Sequence, residues 1–258
     1  VLRFKNLGSG STGNATVVEA TDGHHTTRLL VDCGLGIRTI AQRLGQAGLA
    51  PQQLDAIFIT HEHSDHIGCV HKLARTHRIP VWMSAGTHQG MAEVDFDGLL
   101  HTVADNDVVA VGALQFTPFA VPHDAREPLQ LTCTDGANRL GILTDLGHAD
   151  LNVMQHLHGC HALLLECNHD PALLSGSSYP AFLKRRISGP YGHLDNLAAA
   201  TIAAAVAAAG ARQIVAAHLS RQNNRPDLAL QALVEAPGCA QLALSVADPQ
   251  SGSDWFTV

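Results

Sequence analysis

Residues 60–66 read Thr60-His61-Glu62-His63-Ser64-Asp65-His66, which puts four metal-capable side chains within six positions. The apolar run Ala56–Ile59 before it reads as a buried strand, and Ile67–Arg78 after it carries helical periodicity. The cluster therefore falls where a strand ends and a helix begins. In extended backbone, side chains two apart point the same way, so His61 and His63 can grip one cation. The turn that follows lets Asp65 and His66 face a second. Imidazole combined with carboxylate favours zinc, manganese or iron over calcium. A histidine is most often an ordinary surface or core residue, and seventeen of them raise the odds of a chance cluster. Four ligand side chains at this spacing, directly after a buried strand, outweigh that alternative.

The pattern His-x-His-x-Asp-His resembles the signature of the metallo-β-lactamase superfamily. The resemblance implies further ligands downstream. Three residues suit them: His123 in Val-Pro-His-Asp, Asp145 in Gly-Ile-Leu-Thr-Asp, and His218 in Ile-Val-Ala-Ala-His-Leu-Ser. Each follows a short apolar run, and open α/β sheets carry their sites at the carboxyl ends of strands. By this resemblance His61, His63 and His123 would hold a first ion. Asp65, His66 and His218 would hold a second, and Asp145 would bridge the two. Zinc or manganese is the expected pair, with iron a further option.

Composition agrees with a cytoplasmic α/β protein. At 46% hydrophobic residues the chain can bury a sizeable core, and at 4% aromatics that core must lean on aliphatic side chains. We expect one domain over residues 1–258. The six cysteines, Cys33, Cys69, Cys133, Cys160, Cys167 and Cys239, form no paired framework and read as reduced thiols. Of these, Cys167 is the nearest to a motif. No apolar run reaches membrane-spanning length, and the chain passes from Val1-Leu-Arg-Phe4 straight into a strand-like segment without a leader pattern.

Strands and helices interleave. We expect strands at 2–7, 15–20, 28–32, 56–60 and 80–83, then at 114–121, 129–134, 139–144, 162–166 and 213–217. Helices are expected at 37–47, 67–78, 149–157, 196–209 and 227–234. Asp195 or Asn196 would cap the 196–209 helix, with Gly210 beyond its end. Segments 242–246 and 254–258, around Pro249-Gln-Ser-Gly252, read as a hairpin. The superfamily resemblance turns this series into a four-layer αββα sandwich.

Three segments narrow the resemblance. Leu7-Gly-Ser-Gly-Ser-Thr-Gly-Asn14 is a loop whose amides and hydroxyls can approach an anion closely. Its plainer reading is a flexible hairpin loop, and it lacks the Gly-Lys-Ser/Thr ending of a P-loop. Asp32 in Leu30-Val-Asp-Cys-Gly34 resembles the superfamily's early aspartate, which orients the metal-binding loop without touching metal. The third segment is Tyr191-Gly-His-Leu-Asp-Asn196, with His218-Leu-Ser-Arg-Gln-Asn-Asn224 downstream. With Glu166-Cys-Asn-His-Asp170, these motifs resemble the YycJ/WalJ-like branch, related to ribonuclease Z and the phosphoribosyl cyclic phosphodiesterases. That resemblance implies an exonuclease-like or phosphodiesterase activity. It assigns Ser9, Ser11, Asn14, His193 and Asn223 to the substrate.

Two ions roughly 3.5–4 Å apart lower the pKa of a shared water to about 7 and neutralise charge on a phosphoryl group. A metal-bridging hydroxide could then attack phosphorus, with Asp65 orienting it. His193, after Gly192 and just before a helix start, could serve the leaving oxygen, or could only cap local structure. His169 could do the same, or hold a ligand imidazole in place. The net charge of −7 and pI near 6.2 argue for a short or small phosphodiester over a long duplex, whose phosphates call for clustered cations. Lys184-Arg185-Arg186 is one local basic run, and a solvated helix face explains it equally well; Arg221 and Arg225 form a basic pair. A carbonyl hydrolase on the same scaffold, such as a β-lactamase or thioester hydrolase, and a non-catalytic metal-binding protein are the rival classes.

Overall fold

Along most strands, neighbouring apolar side chains are buried in different layers. Val17, Leu30 and Ile57 belong to one apolar cluster, while Val18, Leu29 and Phe58 belong to another. Leu163 and Leu165 lie in a third cluster, while Leu164 joins the second. A strand buried on both faces needs a continuous apolar run, which is what these segments have. The computed structural model describes all 258 residues.

The first half builds β1 (Leu2–Gly8), β2 (Ala15–Thr21), β3 (Thr26–Val31), α1 (Ile37–Gln46), β4 (Ala56–Phe58), α2 (Ser64–Ile67), α3 (Val70–His77), β5 (Val81–Met83), α4 (Ala85–Gly90) and β6 (Leu100–Thr102). The second half builds β7 (Val109–Val111), β8 (Leu114–Ala120), β9 (Leu129–Thr134), β10 (Arg139–Leu143), α5 (Leu151–Leu157), β11 (Ala162–Glu166), α6 (Pro171–Gly176) and α7 (Ala181–Ile187). It ends with α8 (Asn196–Ala208), β12 (Gln213–Ala217), α9 (Pro226–Glu235), β13 (Ala243–Val246) and β14 (Phe256–Thr257). Two seven-stranded sheets result, ordered β14-β1-β2-β3-β4-β5-β6 and β13-β12-β11-β10-β9-β8-β7. In each, an antiparallel meander passes into parallel strands: β3 runs with β4, and β10 with β11 and β12. The second cluster fills the space between the sheets, with Phe58 edge-on to Phe116 at 5.6 Å. Helices α1 and α3 cover one outer face, and α5, α8 and α9 the other. This is the four-layer αββα sandwich.

Two expectations need correction. The tail is not a hairpin: β13 adds parallel to β12, and β14 adds antiparallel to β1 in the other sheet. The Asp248–Gly252 turn carries the chain across the seam, where Ala247 is buried between the sheets. Each segment satisfies an open sheet edge instead of its neighbour. The helix expected at 67–78 is two helices, broken at Gly68 (φ 21°) and Cys69. A Cβ at Gly68 would lie 2.6 Å from the Cys33 carbonyl oxygen, so the chain bends there to seat the His-rich loop against residues 33–34. Short elements at α4, β6, β7, α6 and α7 lie in segments without a clear period.

Candidate metal centre

The parallel strands deliver the polar residues to one edge. Asp32 follows β3, His61 follows β4, Asp145 follows β10, Glu166 ends β11 and His218 follows β12. Asp32, Asp145 and His218 have φ of 60°, 57° and 56°. This left-handed turn lets each side chain leave its strand sharply, and Asp and His tolerate it better than most residues.

On one side, His61 Nε2 lies 3.1 Å from His63 Nδ1, and His123 Nε2 lies 3.4 Å from the same atom. On the other, His66 Nε2 lies 3.1 Å from Asp145 Oδ2 and 3.8 Å from Asp65 Oδ2, and His218 Nε2 lies 3.9 Å from Asp65 Oδ2. The outer nitrogens of four of the rings are engaged. His66 Nδ1–H donates to Asp32 at 2.7 Å, and His123 Nδ1–H to the Gly192 carbonyl at 3.1 Å. His218 Nδ1–H donates to Glu166 at 2.8 Å. The Thr60 hydroxyl donates to Asp32 and accepts from His61 Nδ1–H at 3.0 Å. These bonds leave the Nε2 lone pairs of four imidazoles directed inward.

A divalent cation fits this arrangement. Lone pairs this close repel unless positive charge lies among them. Asp145 Oδ2 and His218 Nε2 are buried with no hydrogen-bond partner, a state that buried polar atoms rarely adopt. The electrostatics of the cluster make the same demand for positive charge. Burial disfavours charged His66, yet Asp32 and Asp145 outweigh it and raise its pKa to about 10. Burial likewise opposes ionised Glu166, but His193 and His218 hold its pKa down to about 2. His61, His63 and His123 form one cation-sized group; Asp65, His66 and His218 form another; Asp145 joins His61 and His66 in a third. All seven residues assigned to metal by the resemblance thus converge.

A cavity of about 340 Å³ opens onto this cluster, lined among others by Ser11, Asp65, Tyr179, Arg186 and His193. His193 donates from Nδ1 to Glu166 Oε1 at 2.9 Å, and its ring stands 5.4 Å from those of His123 and His218. Of the residues assigned to substrate, Ser11 and His193 line the cavity. The others are set behind it. Ser9 is buried and its hydroxyl accepts from the His218 amide at 2.6 Å. Asn14 is buried, accepts from the Gly10 amide and places Nδ2 3.0 Å from His66 Nε2. Asn223 is buried against Ser220. These three brace the loops because their side chains find partners within the protein. His169 makes no hydrogen bond to a ligand imidazole, and its Nδ1 is buried without a partner.

Glu166 does what was expected of His169. Its Oε1 accepts from two imidazoles, and its Oε2 accepts from the Leu146 and Leu194 amides at 3.2 and 3.0 Å. The signal was present in Glu166-Cys-Asn-His-Asp170, where a glutamate closes an otherwise apolar strand. Asp124, next to His123, was also missed; it lies 3.4 Å from His123 Nε2 and pairs with Arg186 at 2.6 Å. Cys167 is buried in the outer apolar layer, and burial pushes its thiol pKa up.

Residues 27–219 match the model of the β-lactamase superfamily domain. The chain belongs to the β-lactamase superfamily. Within it, the chain is 35% identical over 233 residues to exodeoxyribonuclease YycJ of Bacillus anthracis, covering 88% of this chain and 86% of that one. Exodeoxyribonuclease WalJ of Streptococcus pneumoniae strain R6 is 31% identical over 250 residues, covering 95% and 91%. The crystal structure of the metallo-β-lactamase fold protein YhfI from Bacillus subtilis superposes with a TM-score of 0.75 over 99% of this chain and 98% of that one; at 17% identity it speaks to the fold. Superfamily proteins bind divalent metals, and this member carries His and Asp groups able to hold them. No helix is long and apolar enough to cross a membrane.

Proposed function

We propose that this protein is a metal-dependent phosphodiesterase that acts on DNA ends as a 5′-3′ exonuclease. The observation that carries this reading is the juxtaposition of two imidazole-rich donor groups, joined through Asp145, with His193 held by Glu166 at the mouth of the same cavity. The exodeoxyribonuclease names of the two relatives support the substrate class.

His61, His63 and His123 would hold one divalent ion; Asp65, His66 and His218 the other; Asp145 both. Zinc or manganese suits this donor set, with iron next. Such a pair acidifies water and neutralises charge developing on a phosphodiester. The chain's own residues do the rest. Asp32 and Glu166 hold His66 and His218 in the tautomer that keeps Nε2 free. Asp65, at the start of α2, presents a carboxylate oxygen to the cavity and orients the attacking water. His193, anchored at Nδ1, turns Nε2 toward the cavity, where it can give a proton to the leaving oxygen. The six free thiols support a reducing compartment, the cytoplasm.

The test is a substrate panel with His193→Ala. Metal-loaded protein should turn over bis(p-nitrophenyl) phosphate and 5′-labelled DNA, and show little action on nitrocefin or S-lactoylglutathione. His193→Ala should lose about 10²–10⁴ in rate on an alkoxide leaving group, the span of a general acid, and less on p-nitrophenolate. Equal losses would assign His193 to phosphate binding. Preference for the thioester or β-lactam would sink the reading.

A further inference from the structure

Cys33 and Cys69 lie 36 residues apart in sequence, yet their sulfurs share a hydrogen bond at 3.3 Å. No other two of the six cysteines are joined in this way. The Cys69 amide also donates to the Cys33 carbonyl at 3.0 Å. That bond keeps the two backbones within the span of a disulfide, roughly 4.4–6.8 Å between α-carbons. Cys33 is fully buried, while Cys69 alone of the six is partly exposed. Cys69 caps the N-terminus of α3, a position that favours the thiolate. The Cys33 thiol beside it lowers its pKa, with Lys72 adding to the effect and burial opposing it. The plainer reading is two small apolar side chains filling a core. It explains Cys33, which belongs to an apolar cluster, but not a partner sulfur open to solvent.

We propose that Cys33 and Cys69 form an oxidation site, which a hydroperoxide closes into a reversible disulfide that staples the frame of the metal centre. The Cys69 thiolate attacks the hydroperoxide and the O–O bond breaks. Cys69 becomes a sulfenic acid, and the departing alkoxide or hydroxide takes a proton from water. The Cys33 sulfur then attacks Cys69 Sγ, the S–O bond breaks, and water leaves with the Cys33 proton. Two thiols thus lose two electrons and two protons, and one hydroperoxide is reduced to an alcohol and water. The sulfurs close from 3.3 Å to about 2.05 Å by a turn of the partly exposed Cys69 side chain. Cys33 follows Asp32, whose carboxylate holds His66 Nδ1 at 2.7 Å, and its own amide donates to the His66 carbonyl at 2.8 Å. Cys69 follows the Gly68 break that ends α2. The disulfide therefore ties the end of β3 to the start of α3, across the short helix that carries Asp65 and His66. A cross-link of this span restricts the unfolded chain and so stabilises the fold. In a reducing compartment the pair rests as thiols, and the staple forms only under oxidant.

The test is a hydrogen peroxide titration of the full chain and two variants, with excess oxidant removed by catalase. Denatured wild type should show six free thiols before treatment and four after it, the six less the bonded pair. Peptide mapping without reductant should find Cys33 joined to Cys69. The oxidised protein should melt roughly 4–16 °C higher, and dithiothreitol should restore both the thiol count and the Tm. Cys69→Ser, a change at a partly exposed side chain, should keep all of its remaining thiols at the same dose. In Cys33→Ala the reaction should stop at the first step, so that dimedone labels Cys69. A sulfinic acid at Cys69 with no cross-link would overturn the proposal, as would a cross-link between two chains through Cys69. Loss of two thiols from Cys69→Ser, an unlabelled Cys69 in folded Cys33→Ala, or an unchanged or lower Tm in the cross-linked protein would do the same.

Discussion

Glu166→Gln changes one atom at a point where four donors meet. The carboxylate accepts from His193 and His218 Nδ1 through Oε1, and from the Leu146 and Leu194 amides through Oε2. A glutamine of the same shape has one acceptor oxygen, so either orientation strands two donors against an NH2 group. Each stranded buried donor costs about 1–3 kcal/mol, so the variant should lose roughly 2–6 kcal/mol of stability. The effect on metal is more selective. If the amide nitrogen faces the imidazoles, His218 is driven to the tautomer with hydrogen on Nε2 and loses the lone pair that faces Asp65. Loss of such a supporting carboxylate typically weakens metal binding about 10- to 100-fold. His61, His63 and His123 do not touch Glu166, so an ion bound by them should stay. Equilibrium dialysis against graded zinc or manganese, read by elemental analysis, should show one tight and one weakened site. Two sites of wild-type affinity with an unchanged Tm would refute the reasoning, and so would equal weakening of both.

Other outcomes follow from the same geometry. Asp65→Ala should fold normally, because the Asp65 side chain makes only a long 3.4 Å hydrogen bond, accepted from Asn14, yet lose about 10²–10³ or more in phosphodiester turnover; near-normal rates at normal metal content would exclude its proposed role. In chelator-treated protein, Glu166 has its pKa depressed from 4.5 to about 2, so its stabilisation is complete above 4.5 and is lost as pH falls through about 2. Wild type should therefore lose more Tm than Glu166→Gln between those values, and parallel curves would contradict this. Cys69, the one thiol that is not fully buried, should be the first alkylated by iodoacetamide in native protein, which peptide mapping can read. Gly34→Ala should fail to hold metal, because its Cβ would sit 1.6 Å from the Asp65 carbonyl oxygen; full metal content would show that the loop can shift.

Much of the centre is legible in the sequence because the metal-capable residues that meet there come shortly after apolar strands, and both signals are local. The seven converging residues belong to this class. The supporting groups are harder to read. Glu166 and His169 lie in one short motif, and nothing in their spacing tells which meets the imidazoles; the end of β11 decides it. Ser9, Asn14 and Asn223 have the chemistry of anion contacts, but Ser9 and Asn14 are claimed by backbone amides and Asn223 is buried against Ser220, partners that only the folded chain supplies. The tail misleads for a related reason: two short strands around a turn look like a hairpin until the open edges of β12 and β1 are in view. Helix α7 escapes notice because it buries too little to impose a period.

The backbone, more than any one side chain, sets the precision of the site. Left-handed residues cost of order 1–3 kcal/mol each, and Asp32, Asp145 and His218 all adopt that conformation. Asp and His sit at the gentler end of that range, and local bonds hold two of the three turns. The Asp32 amide donates to Phe58 at 2.8 Å, and the His218 amide to Ser9 Oγ at 2.6 Å. The Gly/Ser loop closes the circuit: the Asn14 amide donates to the Asp65 carbonyl at 2.8 Å, and the Gly34 amide to the Asn14 carbonyl at 2.9 Å. Residues 9, 14, 32, 34, 65 and 218 are thus tied together by hydrogen bonds and close backbone contacts, although they come from both halves of the chain. The Gly/Ser loop thus acts as a strut that fixes Asp65 and His218 relative to one another. Ser11 and His193, by contrast, line the cavity itself.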